Sequence, residues 1–462
     1  MTVQTTQVTP VVDVSGQSLG RKVHLISLGC ARNRVDSEVM LGSMIQQGWS
    51  ITTEPTDADA IVVNTCGFIN SAKEESIDTI LSMAALKRDN PDLKLVVTGC
   101  LTQRYKSQLA TGMPEVDLFL GTDEFPRIAT LLDSPPPMGT VLAKRTHYLY
   151  SGELPKLNTL ARHAAYVKVA EGCQHNCAFC IIPAIRGKLR SRPVASVVKE
   201  VEKLVAEGVQ EINLIAQDLA AYGRDLKETD LLTMLKALVA IDGLRWLRLL
   251  YVYPENISDE FLEFFATEPK IVKYLDIPVQ HADDDVLKRM NRGVTREQLA
   301  STFAKVRARV PDLAIRTSVM VGFPGETEEQ FLKLLDFVRE QKFTHLGCFS
   351  YSREEGTVAG RMTDQIEEDV KAERLDRVMR VQRDVSATNL KKWVGQLVPV
   401  LVEGRSEETS YLWRGRMPYQ APEVDGIVYI NEGDTVAGQI QMVEITDSFE
   451  YDLVGRVVGP LH

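Results

Sequence analysis

The feature that most constrains this chain is a short run, residues 171–180, that contains three cysteines with the spacing C-x3-C-x2-C. Cys173, Cys177 and Cys180 follow an apolar stretch, and the next cysteine after them is Cys348. Three thiolates can hold three irons of a cubic iron–sulfur cluster and leave the fourth iron open. An open iron can chelate a small molecule, so this run predicts a cluster with a bound ligand.

Two other uses of three close cysteines compete with this interpretation. A structural zinc ion has four N or S ligands; the run lacks the paired C-x2-C of most such sites, although His175 is available as a fourth ligand. Cysteines with only a packing role are the second alternative, which the flanking Gly172, Asn176 and Pro183 disfavour. The spacing, placed after a strand-like run, favours the iron–sulfur cluster.

The spacing and the aromatic Phe179 directly before the third cysteine resemble the radical S-adenosylmethionine enzymes. In that family the amino and carboxylate groups of S-adenosylmethionine fill the open iron site. An electron from the cluster then splits the molecule to a 5'-deoxyadenosyl radical. The resemblance therefore implies S-adenosylmethionine as a cofactor.

Length and composition indicate a cytoplasmic protein of two or three domains. A chain of 462 residues exceeds one hydrophobic core, and its 44% apolar and 25% charged residues are typical of globular proteins. No apolar run is long enough to span a membrane, and the start of the chain, predicted as a disordered tail over residues 1–20, lacks a secretory pattern. Seven cysteines without such a signal indicate thiolate ligands in a reducing compartment. The formal charge of -10 argues against general nucleic-acid binding.

Three further cysteines belong to a predicted N-terminal domain over residues 21–132. Each follows an apolar, strand-like run: Cys30 follows residues 22–28, Cys66 follows residues 60–65, and Cys100 follows residues 93–98. Helical stretches between the runs predict a parallel sheet, so the cysteines meet at one sheet edge, where open α/β folds bind ligands. Each also precedes a helix, whose N-terminal dipole favours a thiolate. The three predict a second iron–sulfur cluster; small cysteines that only pack at strand ends are the alternative.

A Pro-rich break begins a predicted linker over residues 133–162, which includes a predicted hairpin at residues 141–150.

The stretch from residue 163 to residue 390 then alternates strands with helices. The predicted strands cover residues 165–169, 211–216, 246–252, 274–277, 314–321 and 345–350. About six such repeats predict a complete or partial TIM-like β/α barrel, whose chemistry lies at the carboxyl ends of the strands.

Polar side chains at these predicted strand ends are candidates for contacts with a nucleoside or a peptide. They are Gln217, Asp218, Tyr222, Tyr253, Gln280 and His281. Glu326, in a later turn, is a further candidate, and four arginines can pair with a carboxylate: Arg186, Arg190, Arg192 and Arg316. We select Gln217, Asp218, Gln280 and Arg316 as cofactor-binding residues and assign no residue as catalytic. Cys348 is predicted to pack in the core.

The last predicted domain, residues 395–462, follows an amphipathic helix over residues 365–393 and contains short strands and turn signals. Five such strands predict a small antiparallel β-barrel of the OB-like type. Its 11 Asp and Glu against 4 Lys and Arg give a formal charge of -7. A phosphate backbone needs a basic face, so a basic protein suits this barrel better than RNA. An acidic surface kept for solubility is the alternative.

The order of these parts resembles the methylthiotransferase family of radical S-adenosylmethionine enzymes. Closer matches are SLGC (residues 27–30), Asn33, VDSE (35–38), DIPVQHA (276–282) and APEVDG (421–426). These motifs resemble the branch that methylthiolates the β-carbon of an aspartate in the twelfth small-subunit ribosomal protein. The family usually has Pro-Lys after the first cysteine, whereas this chain has Ala31 and Arg32; the sequence alone gives this departure no functional meaning.

The resemblance implies two [4Fe-4S] clusters, a radical-generating one on Cys173, Cys177 and Cys180 and an auxiliary, sulfur-carrying one on the other three cysteines: Cys30, Cys66 and Cys100. One S-adenosylmethionine would methylate the sulfur, and a second would yield the radical that removes hydrogen from the aspartate. A radical is required because this C–H bond is not acidic enough for a general base to remove its proton. A TRAM-type terminal barrel, a reductant such as flavodoxin or ferredoxin, and a sulfur donor are also implied. A methylthiotransferase acting on transfer RNA adenosine and a non-enzymatic iron–sulfur carrier are the alternatives.

Overall fold

The structure is a computed structural model that describes residues 20–144 and 147–460. Apart from Gly20, the predicted tail over residues 1–20 lies outside these described residues. The other predicted domain boundaries, near residues 132, 162 and 390, stay predictions. No helix within the described ranges is both long and apolar enough to span a bilayer.

The N-terminal part is built around a six-stranded parallel sheet with the strand order β2-β1-β3-β4-β5-β6. Its strands are β1 (Lys22–Ser27), β2 (Ser50–Ile51), β3 (Ala60–Thr65), β4 (Lys94–Gly99), β5 (Leu118–Leu120) and β6 (Thr140–Leu142). Its helices are α1 (Ala31–Gln46), α2 (Asn70–Ala85), α3 (Cys100–Tyr105), α4 (Ser107–Gly112) and α5 (Ile128–Asp133). Every residue of β3 is buried, as expected for a parallel strand covered on both faces.

The hairpin predicted from residue 141 is wrong at its first arm. β6 pairs in parallel with β5, and its Val141 and Leu142 pack against the cores on the two faces of the sheet. The strand is therefore an edge of the first sheet, because burial of these two side chains outweighs the local turn signals. Residues 145 and 146 of the predicted hairpin lie outside the described residues.

The central part contains a second six-stranded parallel sheet with the order β14-β13-β12-β11-β10-β7. Its strands and a small antiparallel pair are β7 (Ala164–Lys168), β8 (Ala170–Glu171), β9 (Arg190–Ser191), β10 (Glu211–Ile215), β11 (Trp246–Leu249), β12 (Ile271–Asp276), β13 (Ala314–Val321) and β14 (His345–Ser350). The helices are α6 (Ile182–Arg186), α7 (Val194–Ala206), α8 (Leu231–Val239), α9 (Asp259–Thr267), α10 (Asp284–Arg289), α11 (Arg296–Arg309), α12 (Glu328–Gln341) and α13 (Glu368–Leu390). The predicted barrel is thus a partial one, open between β14 and β7.

The outer face of this central sheet packs against its helices. Val167, Leu214 and Leu249 from the strands share one core with Phe303 and Phe337 from α11 and α12, and none of them is exposed. Both helices begin with a capping box, in which a threonine side chain and a glutamine three residues later exchange hydrogen bonds with backbone N–H groups. Cys348 lies in this core, as predicted.

The C-terminal part is a closed five-stranded barrel with the order β15-β16-β17-β19-β18. Its strands are β15 (Leu397–Arg405), β16 (Trp413–Arg416), β17 (Val428–Glu432), β18 (Ile440–Ser448) and β19 (Leu453–Pro460). The predicted small barrel is confirmed, with one difference: β17 and β19 pair in parallel, so the barrel is not wholly antiparallel. Fully buried side chains such as Val400, Val443 and Leu453 fill it.

Residues 417–426, which join β16 to β17 and are called the insertion segment below, lie on the inner face of the central sheet. The Arg248 Nη1 donates to the Pro418 carbonyl at 2.7 Å, and His345 Nε2 donates to the Tyr419 carbonyl at 2.7 Å. Near the end of the segment, Asp425 accepts hydrogen bonds from Tyr274 and Arg316, both at 2.7 Å. A piece of the terminal barrel therefore fills part of the interior of the partial barrel, where Ala421 packs in one cluster with Tyr166 and Trp246.

A buried ionic cluster fixes the same junction. Glu211, at the start of β10, is fully buried and accepts hydrogen bonds from Arg248 at 2.9 and 3.0 Å. It also binds Arg416 at the end of β16, with a shortest distance of 2.5 Å, and Arg416 in turn binds Glu403 at 2.6 Å. Two carboxylates thus balance two guanidinium groups between the central sheet and the terminal barrel.

Candidate active site

The cysteines of the N-terminal sheet lie at three adjacent strand ends. Cys30 precedes the first residue of α1, Cys66 follows β3, and Cys100 is the first residue of α3. A Cβ atom at Gly29 would lie 2.8 Å from the Cys66 Cβ and 3.1 Å from its Sγ, so only glycine allows these strand ends to approach so closely. All cysteines are free thiols, so these three are available as ligands.

Burial and neighbouring charges shift the pKa of each of these thiols. Burial raises the pKa of Cys66 to about 12, and the charges of Cys100 and Cys30 act in the same direction. Burial also raises the pKa of Cys100. Burial opposes ionisation at Cys30 as well, but the Arg32 guanidinium, the Asn33 N–H group and Arg186 more than compensate and lower its pKa.

This difference predicts the order in which the cluster-free protein reacts with iodoacetamide. Only about one Cys66 thiol in 10⁴ is ionised at pH 8, and the thiolate is the reactive form. We therefore expect Cys30 to be alkylated well before Cys66, with a half-maximal rate at a pH below 9, its ordinary value. Peptide mapping by mass spectrometry across pH 6–10 measures this; equal rates at Cys30 and Cys66 would contradict it.

The second cysteine set lies on the loop between β8 and α6. The His175 N–H donates to Cys173 Sγ at 3.4 Å, and Arg292 Nη1 donates to Cys177 Sγ at 3.7 Å. Burial raises the pKa of Cys180 to about 12. Among the described residues no three His, Cys, Asp or Glu are grouped around a single metal ion. In a cubic cluster, by contrast, each thiolate binds its own iron, and these hydrogen-bonded thiols fit that donor set.

An aromatic and polar stack borders this loop. The His175 ring lies 3.9 Å from the Tyr253 ring and nearly parallel to it, and His175 Nε2 lies 2.7 Å from Asp218 Oδ2. The Arg292 guanidinium is 4.0 Å from the centre of the same tyrosine ring. The structure therefore brings the predicted residues Asp218 and Tyr253 to the Cys173 loop. Sequence reasoning missed Arg292, which follows a short helix and carries no strand-end signal.

Two other predicted cofactor ligands lie at strand ends beside this loop. Both side-chain atoms of Gln217 are buried without a hydrogen-bond partner among the described residues. Such orphaned amide atoms fit a site that the polar groups of a cofactor would complete. Gln280 has a φ of 71°, and its backbone N–H and carbonyl bind Ser318 and Met320 at 2.8 and 2.7 Å.

Several other predicted residues are occupied elsewhere. Arg316 pairs with Asp425 of the insertion segment, so its role toward the cofactor stays a prediction without a contact that supports it. His281 contacts Glu326 at 3.0 Å, and the Tyr222 hydroxyl donates to the Arg192 carbonyl at 2.6 Å. The Arg192 guanidinium binds Glu200 at 2.6 Å. Arg190 donates to the carbonyls of Arg186 and Lys188. The polar groups of these side chains are thus engaged by other parts of the chain.

A buried charge network joins the two cysteine sets. Arg186, the last residue of α6, lies 2.8 Å from Asp36 of α1 and 3.2 Å from Glu171, and its Nη2 is 3.6 Å from Cys100 Sγ. Lys168 also binds Asp36 and Glu171. Although burial opposes it, Lys168 and Arg186 lower the pKa of Glu171 to about 2. The network thus fixes the N-terminal sheet against the central sheet, and Cys100 of one set packs against Ile181 and Ile185, directly after the other set.

Three family models match successive parts of the chain. Residues 22–121 match the uncharacterized protein family UPF0004, residues 167–338 match the radical SAM superfamily, and residues 394–458 match the TRAM domain. Membership of the radical SAM superfamily implies a [4Fe-4S] cluster and S-adenosylmethionine.

Solved structures share the fold at low sequence identity. The radical S-adenosylmethionine methyltransferase TsrM from Kitasatospora setae aligns with a TM-score of 0.53 at 17% identity, over 74% of this chain and 77% of that one. The cobalamin-dependent S-adenosylmethionine radical enzyme OxsB aligns with a TM-score of 0.51 at 13% identity, over 78% of this chain and 56% of that one. At these identities the likeness concerns the fold alone.

The fold and the match to the radical SAM superfamily define a radical S-adenosylmethionine enzyme. Proteins named ribosomal protein uS12 methylthiotransferase RimO, from Geotalea uraniireducens and Geobacter sulfurreducens, are each 49% identical to this chain. The alignments cover 96% and 95% of this chain and 99% of each relative. The chain belongs to this RimO family, which confirms the resemblance inferred from the sequence motifs.

Proposed function

We propose that this chain transfers a methylthio group to the β-carbon of an aspartate in ribosomal protein uS12. The observation that carries this proposal is that two separate thiol sets lie close together, with Cys100 of one set packed against the helix that follows the other. Arg186 lies on the helix directly after the Cys173 set and donates to Cys100 of the other set. One set suffices for radical chemistry, so the second, held this close, needs a role of its own, and sulfur delivery is that role.

The two sets are proposed to hold two clusters. When bound, the cluster on Cys173, Cys177 and Cys180 supplies the electron that cleaves S-adenosylmethionine, and a second [4Fe-4S] cluster on the other set supplies the sulfur. We assign Cys30, Cys66 and Cys100 to that second cluster, since all three are free thiols at adjacent strand ends.

The chain's own residues are proposed to bind and orient the cofactor and the loop around it. Gln217, with its unpartnered amide, Asp218 and Gln280 are assigned to S-adenosylmethionine. Asp218 additionally orients His175, and Arg292 holds Cys177 through its sulfur. No general base is assigned, because a radical removes the hydrogen of a C–H bond that has no useful acidity.

The terminal barrel is proposed to dock the basic ribosomal protein. Some of its acidic residues are used within the chain: Glu423 binds Arg34 and Asp425 binds Arg316. Others stay exposed, namely Glu408, Glu432, Asp434 and Glu450, and the exposed rings of Tyr411 and Phe449 accompany them. Aromatic side chains beside carboxylates suit a basic protein surface, whereas RNA would meet repulsion. A cytoplasmic reductant such as flavodoxin or ferredoxin and a sulfur donor complete the proposed system.

Mass spectrometry of isolated uS12 tests this function. The protein is incubated anaerobically with the reconstituted enzyme, S-adenosylmethionine, sulfide and a reductant. We expect the mass of one methylthio group to be added at an aspartate of uS12. A methylthio group on transfer RNA adenosine and none on uS12 would instead establish the transfer RNA enzyme, and the absence of S-adenosylmethionine cleavage would establish an iron–sulfur carrier.

A further inference from the structure

Among the described residues, the Arg32 guanidinium has no carboxylate partner. It lies in the first turn of α1, two residues after Cys30. Its Nη1 donates to the Ala216 carbonyl at 2.8 Å, and its guanidinium carbon lies 4.7 Å from the centre of the Tyr251 ring. Within the described part of the chain it makes no ion pair, so a cation held by both domains is left free to bind an anion.

The position of Arg32 is between the two cysteine sets. It belongs to the N-terminal sheet's first helix, yet Ala216 and Tyr251 lie just beyond the carboxyl ends of β10 and β11 of the central sheet. Arg32 is two residues from Cys30 of one set, and Asp218, two residues after Ala216, contacts His175 in the loop of the other set. Arg32 therefore lies where the two sheets meet, near both cysteine sets.

The other cations near the two cysteine sets are already engaged. Arg186 and Lys168 pair with Asp36 and Glu171, and Arg316 pairs with Asp425. Within the described ranges Arg292 also has no carboxylate partner, but it contacts Cys177 and so belongs to one set only. Arg32 is thus the cation best placed to serve a group that meets both sets.

The proposed reaction brings a carboxylate to this place. In aspartate the side-chain carboxylate is bonded directly to the β-carbon. The site that holds the reacting carbon must therefore also accommodate a negative charge next to it. An ionised carboxylate that leaves water is costly unless it finds a cation and hydrogen-bond donors. A guanidinium supplies both, because its fork matches the two oxygens of a carboxylate.

We propose that Arg32 binds the side-chain carboxylate of the target aspartate and thereby selects aspartate over asparagine. This inference rests on the proposed function. The carboxylate of S-adenosylmethionine has the same chemistry and is the second possible source. The two differ in what a substitution of Arg32 changes: recognition of uS12 in one case, affinity for S-adenosylmethionine in the other.

A double-mutant cycle between Arg32 and the target residue tests the inference. The full-length, cluster-reconstituted wild type and Arg32→Gln are titrated without reductant, so no turnover occurs, against uS12 and against uS12 in which the target Asp is Asn. We expect the wild type to bind the Asp protein about 30-fold more tightly than the Asn protein, a typical effect of a charged hydrogen-bonded pair. Arg32→Gln is expected to bind both proteins equally.

Two further variants sharpen the cycle. Arg190→Gln is the matched control and should keep the wild-type ratio. Among the described residues the Arg190 guanidinium, like that of Arg32, donates hydrogen bonds only to backbone carbonyls. Iron and sulfide analysis shows whether Arg32→Gln holds its clusters. If Arg32→Gln does not hold its clusters, Arg32→Lys is measured instead. Lysine keeps the positive charge but lacks the two-pronged guanidinium, so the ratio of the affinities for the Asp and Asn proteins should fall several-fold.

The outcomes separate the inference from the function it rests on. The inference is overturned if Arg32→Gln keeps the wild-type ratio of affinities for the Asp and Asn proteins. Where that variant lacks clusters, the same result in Arg32→Lys overturns it. An unchanged ratio together with a weakened affinity for S-adenosylmethionine overturns it in favour of the cofactor's carboxylate. If wild type leaves uS12 unmodified under reducing conditions, the proposed function itself fails.

Discussion

Replacement of Cys66 by alanine is expected to abolish methylthiolation of uS12 while S-adenosylmethionine is still cleaved. Cys66 lies among the three thiols of the N-terminal sheet, and the Cys173 loop contains its own three ligands. With only two thiols left, the sulfur-supplying site is incomplete, whereas the radical-generating site keeps its donor set. Cleavage is followed as 5'-deoxyadenosine by chromatography, and transfer by mass spectrometry of uS12.

Two other cysteine variants give this experiment its controls. Cys177→Ala should lose both cleavage and transfer, because it disables the radical-generating site. Cys348→Ala should keep both, because this thiol is buried in the core behind the central sheet. Iron content should fall from about eight to about four atoms per chain in Cys66→Ala. Transfer that survives in Cys66→Ala would remove the N-terminal thiols from the reaction.

Replacement of Glu211 by glutamine is expected to destabilise the protein by about 3–5 kcal/mol, because it removes one partner of a buried ion pair. The glutamine has nearly the same shape, but Arg248 and Arg416, which are 0% and 1% exposed, would keep their charges with Glu403 as the remaining carboxylate. An uncompensated cation would then lie between the central sheet and the terminal barrel.

Thermal unfolding measures this effect, with an expected fall of about 10 °C in the melting temperature. The two arginines lower the pKa of Glu211 to about 2 despite its burial. The carboxylate therefore stabilises the fold fully above about pH 4.5, and the difference between wild type and variant should shrink as the pH falls toward 2. Glu260→Gln, at a side chain 74% exposed and 3.6 Å from Lys236, should change stability by less than about 0.5 kcal/mol. Equal melting temperatures for both variants would contradict the assignment.

The sheets and the placement of the cysteines were predictable because their signals are local. β1, β3 and β4 are short apolar runs, and each is followed within a few residues by a cysteine. Cys30 and Cys100 lie at helix starts, whereas Cys66 lies four residues before α2. Parallel pairing then places those cysteines at one edge without further information. The partial barrel followed from the same alternation of strands and helices.

The partners of charged side chains were not predictable, because they depend on contacts between distant parts of the chain. Arg316 occupies a strand where a cofactor carboxylate is a reasonable expectation, yet its carboxylate belongs to Asp425, 109 positions later. Arg292 reaches Cys177 across 115 positions from a loop that sequence periodicity does not describe. Such pairs need the packing of whole domains, which no local pattern contains.

The insertion segment means that the terminal barrel is not an interchangeable module. Exchanging it for the barrel of a relative with another substrate would withdraw Asp425 from Arg316 and Tyr274, and Arg416 from Glu211. A functional chimaera would have to carry matching residues on both sides of the junction. Substrate choice in such enzymes would then evolve by coordinated change in two domains rather than by the acquisition of a new third domain.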